Sequence, residues 1–210
     1  MIPVLLVVLA AAPAGATAAQ ELDRVERAIA AGEYASALAQ ARTLATAARR
    51  GGDVAAEARA LMLEADVHYY QDRRDEMRRG YQRALDLYRG LGDDAGTGRA
   101  YYSLAYYYER TQPERMIALL DEGIACARRA GDRRLEMNVE NALGQASTNR
   151  GRYADAAAHF ERSRAIADAL GETRAAATAL TNIGAVAAAR VSPSASAMAR
   201  ERSKCAAASA

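Results

Sequence analysis

After position 20, apolar residues recur three and four apart, in two kinds of segment that alternate along the chain. One kind reads Leu61-Met62-Ala65, Tyr101-Leu104-Ala105-Tyr108, Val139-Ala142-Leu143-Ala146 and Leu180-Ile183-Gly184-Ala187. The other reads Ala37-Ala41-Leu44, Met77-Tyr81-Ala84-Leu85-Tyr88, Ile117-Leu120-Ile124 and Ala156-Phe160-Ala167. Such spacing gathers the apolar side chains on one face of an α-helix, so each segment is expected to be an amphipathic helix and no strand is expected.

The turns between these helices are written in the sequence as well. Gly52-Asp53, Gly92-Asp93, Gly131-Asp132 and Gly171-Glu172 stand 40, 39 and 40 residues apart. A glycine just past a helix can take the left-handed conformation that closes the last turn, and the acid after it can cap the next helix. Arg49 and Arg50 precede the first of these marks, and Arg128 and Arg129 the third, where cations complement the carboxyl end of a helix dipole. A second set, Gly32-Glu33, Gln71-Asp72, Thr111-Gln112-Pro113 and Gly151-Arg152, falls halfway between. Each period therefore holds two helices. Neither could bury its face alone, so stability is expected to come from contacts between neighbouring repeats.

Gly144, Ala156 and Phe160 place a small residue, a second small residue twelve positions later and an aromatic four further on, flanked by Leu143, Gly151 and Tyr153. The interval of twelve also links Val25 to Ala37, Ala65 to Met77 and Ala105 to Ile117, while Tyr81 and Ala84 repeat the aromatic and the alanine. This arrangement resembles the tetratricopeptide repeat. Two departures are Glu140, where the pattern has a large residue, and the unit around Pro113. The resemblance implies an all-α, right-handed superhelical solenoid of antiparallel helix pairs over residues 19–190, with four pairs and the first helix of a fifth. A period near 40 is similar to the long-helix variety found in bacterial regulators and in arrays preceding caspase-like peptidase domains.

In the family, two positions of each first helix face the concave groove. Carried over through the turns, they are Met62 and Asp66, Tyr102 and Tyr106, Asn141 and Gln145, and Thr181 and Ala185. Arg99 extends the tyrosine stripe by a turn and Asn138 extends the amide stripe. The resemblance thus implies a protein or peptide partner held by Arg99, Tyr102, Tyr106, Asn138, Asn141 and Gln145. Tyr offers contact area with few rotamers to freeze, and Asn or Gln can bond both polar groups of an extended backbone. Tyr101 and Tyr108 fall on packing positions.

Charge and composition narrow the function. Lys and Arg number 28 against 26 Asp and Glu, a net +2, which leaves no basic field for nucleic acid. His68 and His159 lie about two repeats apart, Cys126 and Cys205 form no paired motif, and no triad or ligand cluster emerges, so neither an enzyme nor a metal or other cofactor is expected. The run Gly92 to Gly98 lacks the strand and lysine of a phosphate loop and reads as a turn. Arg73, Arg74, Arg78, Arg79 and Arg83, interleaved with Asp72, Asp75 and Glu76, read as a solvated helix face.

Met1 to Gln20 carries no charged side chain, and Ile2 to Ala12 is apolar apart from Pro3. With Ala16-Thr17-Ala18 at its end, the stretch reads as a signal peptide of residues 1–18, with Ala14-Gly15-Ala16 as a second cleavage site. A retained membrane anchor or a misplaced start are the other readings. Export implies a periplasmic or secreted scaffold with no stable membrane insertion after cleavage, in a compartment where Cys126 and Cys205 meet oxidising conditions. After Arg190 the repeat pattern stops, and 191–210 is either a degenerate closing helix opened by Ser192 and Pro193 or a frayed tail. The rival functional reading is a sensor for a small ligand, or a fragment of a longer signalling or peptidase protein.

Overall fold

The computed structural model describes residues 17–191. The leader up to residue 16, the closing segment from Ser192 and Cys205, with its pairing to Cys126, lie outside the described residues. Among the described residues nine helices follow one another: α1 (Ala18–Ala30), α2 (Tyr34–Gly51), α3 (Val54–Tyr70), α4 (Arg74–Leu91), α5 (Asp94–Tyr108), α6 (Pro113–Ala130), α7 (Arg133–Asn149), α8 (Tyr153–Leu170) and α9 (Thr173–Val191). No strand occurs among the described residues. Consecutive helices pack on each other along the whole array, and α1 also touches α3, as α5 touches α7. The protein is an all-α solenoid of antiparallel helix pairs.

Three of the four Gly-acid turns work as two caps in two residues, while in the fourth the Glu172 carboxylate accepts from Arg134. Gly52, Gly92, Gly131 and Gly171 close α2, α4, α6 and α8 at φ of 75°, 67°, 69° and 71°, a region where a Cβ is strained. The carboxylates of Asp53, Asp93 and Asp132 then accept the backbone N–H groups of Ala56, Gly96 and Leu135, each at 2.9 Å. In the turn between α3 and α4 an aspartate stands in for glycine: Asp72 takes φ 55°, which Asp tolerates better than most residues. The shorter 39-residue interval has a local cause. Helix α5 has 15 residues where α3 and α7 have 17, and the link before Pro113, at the start of α6, is one residue longer than its counterparts.

Small residues set how closely the helices approach. Ala65, Ala105, Ala142 and Ala156 are completely buried, as are Ala84 and Ala127. Gly144 shows why: a Cβ there would lie 2.6 Å from Cε1 of Phe160, whose ring fills the space between α7 and α8. Gly184, the same position one unit later, meets no described atom within 4 Å. Tyr108 is buried at 5% exposure, and Tyr101 packs against the same core.

Glu140 replaces a large apolar residue with a buried ion network. At 1% exposure its carboxylate accepts from Arg128 at 3.0 Å and Arg162 at 3.0 Å, and pairs with Nδ1 of His159 at 2.8 Å. Burial pushes its pKa up, but the hydrogen bonds from His159 and Arg162 outweigh that and hold it below the usual glutamate range. The last-turn arginines of α6 therefore do more than meet a dipole: Arg128 also bonds Glu136, and Arg129 reaches Asp94 on α5 at 2.7 Å.

The Gly144 contact yields a paired prediction. Gly144→Leu overpacks the α7 and α8 crossing and should cost about 1 to 3 kcal/mol. Gly184→Ala removes helix-interior glycine without a clash and should gain about 0.5 to 1 kcal/mol. Thermal denaturation of both variants checks this, and an unchanged melting temperature for Gly144→Leu contradicts the packing described.

Candidate binding cleft

Helix geometry aims a set of side chains into one cleft. On α3, Asp66, Tyr69 and Tyr70 are three and four residues apart and share a face. On α5, Tyr102 and Tyr106 are four apart. Between them opens a cleft of about 410 Å³, walled by these five side chains together with Ile29 of α1, Tyr81 of α4 and Ser103 of α5. The Tyr102 and Tyr106 hydroxyls are hydrogen-bonded at 3.0 Å, and their rings meet edge to face with centroids 5.2 Å apart. Tyr69 and Tyr70 are 51% and 56% exposed. Tyr70 is stacked on Tyr34 of α2, with centroids 5.4 Å apart, which carries the aromatic wall outward.

One ionisable group sits among the rings. Oδ1 of Asp66 accepts the Tyr81 hydroxyl at 2.7 Å, and no cation pairs with this carboxylate among the described residues. Burial raises its pKa to about 6, against the lowering effect of the Tyr81 bond, and Glu26 adds to the rise. The phenols respond in the same direction: burial first, then the Asp66 charge, pushes Tyr81 up, and burial with Tyr102 pushes Tyr106 up.

Of the residues expected from the sequence, Tyr102 and Tyr106 line this cleft, together with Asp66 from the preceding first helix. Arg99, Asn138, Asn141 and Gln145 do not line it. Arg99 is exposed, with Nε 3.4 Å from the Ala95 carbonyl. Gln145 is exposed and Asn138 half-buried. Asn141 is engaged within the array, its Oδ1 accepting from Asn182 of α9 at 3.1 Å. Met62 packs against the core, and Thr181 bonds the Ala177 carbonyl. The sequence reading missed Tyr69, Tyr70 and Tyr81. The first two were legible, being one helical turn from Asp66; Tyr81 enters only through the fold.

The remaining candidate residues are structural. His68 is 2% exposed, with Nε2 3.6 Å from Glu64, and burial lowers its pKa. It borders a space of about 50 Å³ beside Arg73, Arg74 and Met77. Cys126 is buried and accepts from Arg129 at 3.1 Å. Among the described residues no group of three His, Cys, Asp or Glu side chains is placed to hold a metal. None of the described helices is long and apolar enough to cross a membrane.

In fold, the chain is similar to BtubC (BKLC) from P. vanneervenii, with a TM-score of 0.61 and 18% identity over 91% of this chain and 89% of that one. It is also similar to a Podosopora anserina putative kinesin light chain with nearly identical TPR-like repeats, with a TM-score of 0.58 and 12% identity over 81% of this chain and 94% of the other. At such identities the likeness concerns architecture, a TPR-like array of helix pairs. No family model matches the sequence, and no curated protein matches it.

The carboxyl group provides a test of the cleft's electrostatics. Its folded-state pKa of about 6 lies above the ordinary aspartate value of 3.8, so the folded state holds the proton more tightly than the unfolded one. Asp66 therefore penalises folding at neutral pH, and the penalty disappears as the pH falls through 6 towards 4. Asp66→Asn keeps an acceptor for Tyr81 and should stabilise the protein by about 1 to 3 kcal/mol at pH 7.5. The gain should shrink to near zero at pH 4. Denaturant melts at the two pH values measure it, and a loss of stability at pH 7.5 contradicts the desolvated carboxylate.

Proposed function

We propose that this protein is a non-enzymatic helical-repeat scaffold whose cleft between α1, α3, α4 and α5 holds a peptide segment of a protein partner. The observation that carries the reading is the exposure of Tyr69 and Tyr70 beside Tyr102 and Tyr106 in one open cleft. Rigid aromatic rings around a few polar anchors, here Asp66 and Ser103, are the usual composition of a recognition surface. Arg99, Asn138, Asn141 and Gln145 lie outside the cleft on α5 and α7, and in this reading exposed Arg99 and Gln145 would meet the partner beyond it. The glycine caps at 52, 92, 131 and 171 support a place among arrays of long helices.

Export belongs to the same proposal. It rests on the charge-free leader and its small-residue end. Thr17 refines the cleavage site: its side chain caps α1, accepting the Gln20 N–H while the Gln20 side chain accepts the Thr17 N–H. Cleavage after Ala16 leaves this capping box intact, whereas cleavage after Ala18 removes it. Intact-mass measurement of the protein from the periplasm of a bacterial host should find a shortened chain. A soluble product that retains Met1 contradicts export.

Two tyrosines on one helix separate binding from folding. Tyr106→Ala should weaken partner affinity by about 2 kcal/mol, the loss typical of a central aromatic anchor. Tyr108→Ala removes a core ring and should lower stability by about 3 kcal/mol. Calorimetric titration and thermal melts of both variants decide. If Tyr106→Ala unfolds the chain while Tyr108→Ala spares it, the binding face is the other side of α5.

A further inference from the structure

We propose that the cleft receives a basic side chain, lysine or arginine, carried by the partner segment, with Asp66 as its counter-ion and the rings of Tyr69, Tyr70, Tyr102 and Tyr106 as its walls. This rests on the cleft being the peptide site, and it specifies the chemistry of what enters.

The protein contains its own comparison. Glu140, buried in the array, is neutralised by two arginines and also contacts His159. Asp66 has one phenol on Oδ1 and nothing on Oδ2 among the described residues. A carboxylate set below the surface without a cation is costly, and a cation from outside removes the cost. No cationic side chain lines the cleft to do so from within.

The surroundings select for the same charge. The groups facing Asp66 are Glu26 from α1, whose carboxylate is paired with Arg59 of α3 at 2.8 Å, Tyr69 and Tyr70 from its own helix, Tyr81 from α4, and Tyr102 and Tyr106 from α5. Among the described residues Asp66 is the one charged side chain that lines the cleft, so a partner carboxylate would meet a like charge and no counter-ion there. Tyrosine faces attract ammonium and guanidinium groups through their quadrupole. The array already uses that contact: Arg115 lies 4.2 Å from the Tyr108 ring centroid, and Arg74 lies 5.4 Å from that of Tyr107. Those rings hold a guanidinium from within, whereas among the described residues no arginine lies over Tyr69, Tyr70, Tyr102 or Tyr106. The stacked Tyr34 and Tyr70 extend the wall past the carboxylate, giving the residues beside the basic one a surface to lie on. That favours a peptide side chain over a free small cation. The raised Asp66 pKa adds a signature: the cation needs the ionised form, so affinity falls as the pH drops through about 6.

The experiment is selection from a random peptide display library on the immobilised full chain at pH 7.5. Selected peptides are then titrated against the wild type, Asp66→Asn and Tyr106→Ala. The expected result is a shared Lys or Arg. Its replacement by norleucine should weaken binding by at least about tenfold, as should Asp66→Asn, which circular dichroism should show to be folded. Affinity for the wild type should fall by about tenfold between pH 7.5 and pH 5, and that of Asp66→Asn should not. Peptides without a basic residue that nonetheless lose affinity in Tyr106→Ala leave the cleft a peptide site and overturn the counter-ion. A lysine amide binding as tightly as the selected peptides overturns the assignment to a peptide segment. If no peptide is retained, both the counter-ion and the peptide reading fall.

Discussion

Each helix of this array has an apolar face it cannot bury by itself, and the contact that solves this is a small residue meeting a large one on the next helix. Gly144 lets the Phe160 ring lie directly on the α7 backbone, and Gly96 does the same for Tyr88. Alanines at the other crossings keep the approach close while offering little surface of their own. The stabilisation is therefore shared between neighbours and not owned by any one helix. The cleft depends on the same contact. Packing of α3 on α4 and of α4 on α5 brings α3 and α5 near enough for their uncovered stripes to wall one cleft.

Two carboxylates differ in how the array answers their charge. Glu140 links three helices, with Arg128 from α6 and His159 and Arg162 from α8, and its charge is fully answered. Asp66 is answered by a single hydroxyl and faces outward. A group that costs stability in the free protein is common where a ligand completes the site. The same division is seen in the tyrosines. Tyr108 is a core ring and Tyr106, two residues away, is a cleft ring, because two positions along a helix turn a side chain by more than half a circle.

Much of the fold was legible in the sequence because its signals are local. A glycine followed by an acid needs nothing outside its own turn to close one helix and open the next, and the spacing of Tyr102, Tyr106 and Tyr108 separates the faces of α5. Asp66 likewise followed from its register with Tyr102 and Tyr106. What sequence did not reveal depends on tertiary geometry. The Tyr81 hydroxyl meets Asp66 across two helices, Asn182 takes up Asn141 across 41 residues, and Glu140 reads as a flaw in the pattern until its three partners are in place. The expected groove was continuous from α5 to α7. In the structure the aromatic cleft leans the other way, towards α1 and α3, because Tyr69 and Tyr70 stand on α3 while α7 offers amides that are partly engaged.

The surface left over by helix packing on α3 and α5 is the proposed seat of a partner. Backbone amide chemical shifts, followed as a bound peptide is titrated into the labelled chain, test it most directly. Saturable shifts are expected to concentrate at Asp66, Tyr69, Tyr70, Tyr102, Ser103 and Tyr106, with small changes elsewhere. Shifts concentrated on the outer faces of α6 and α8, with those residues unmoved, would contradict it.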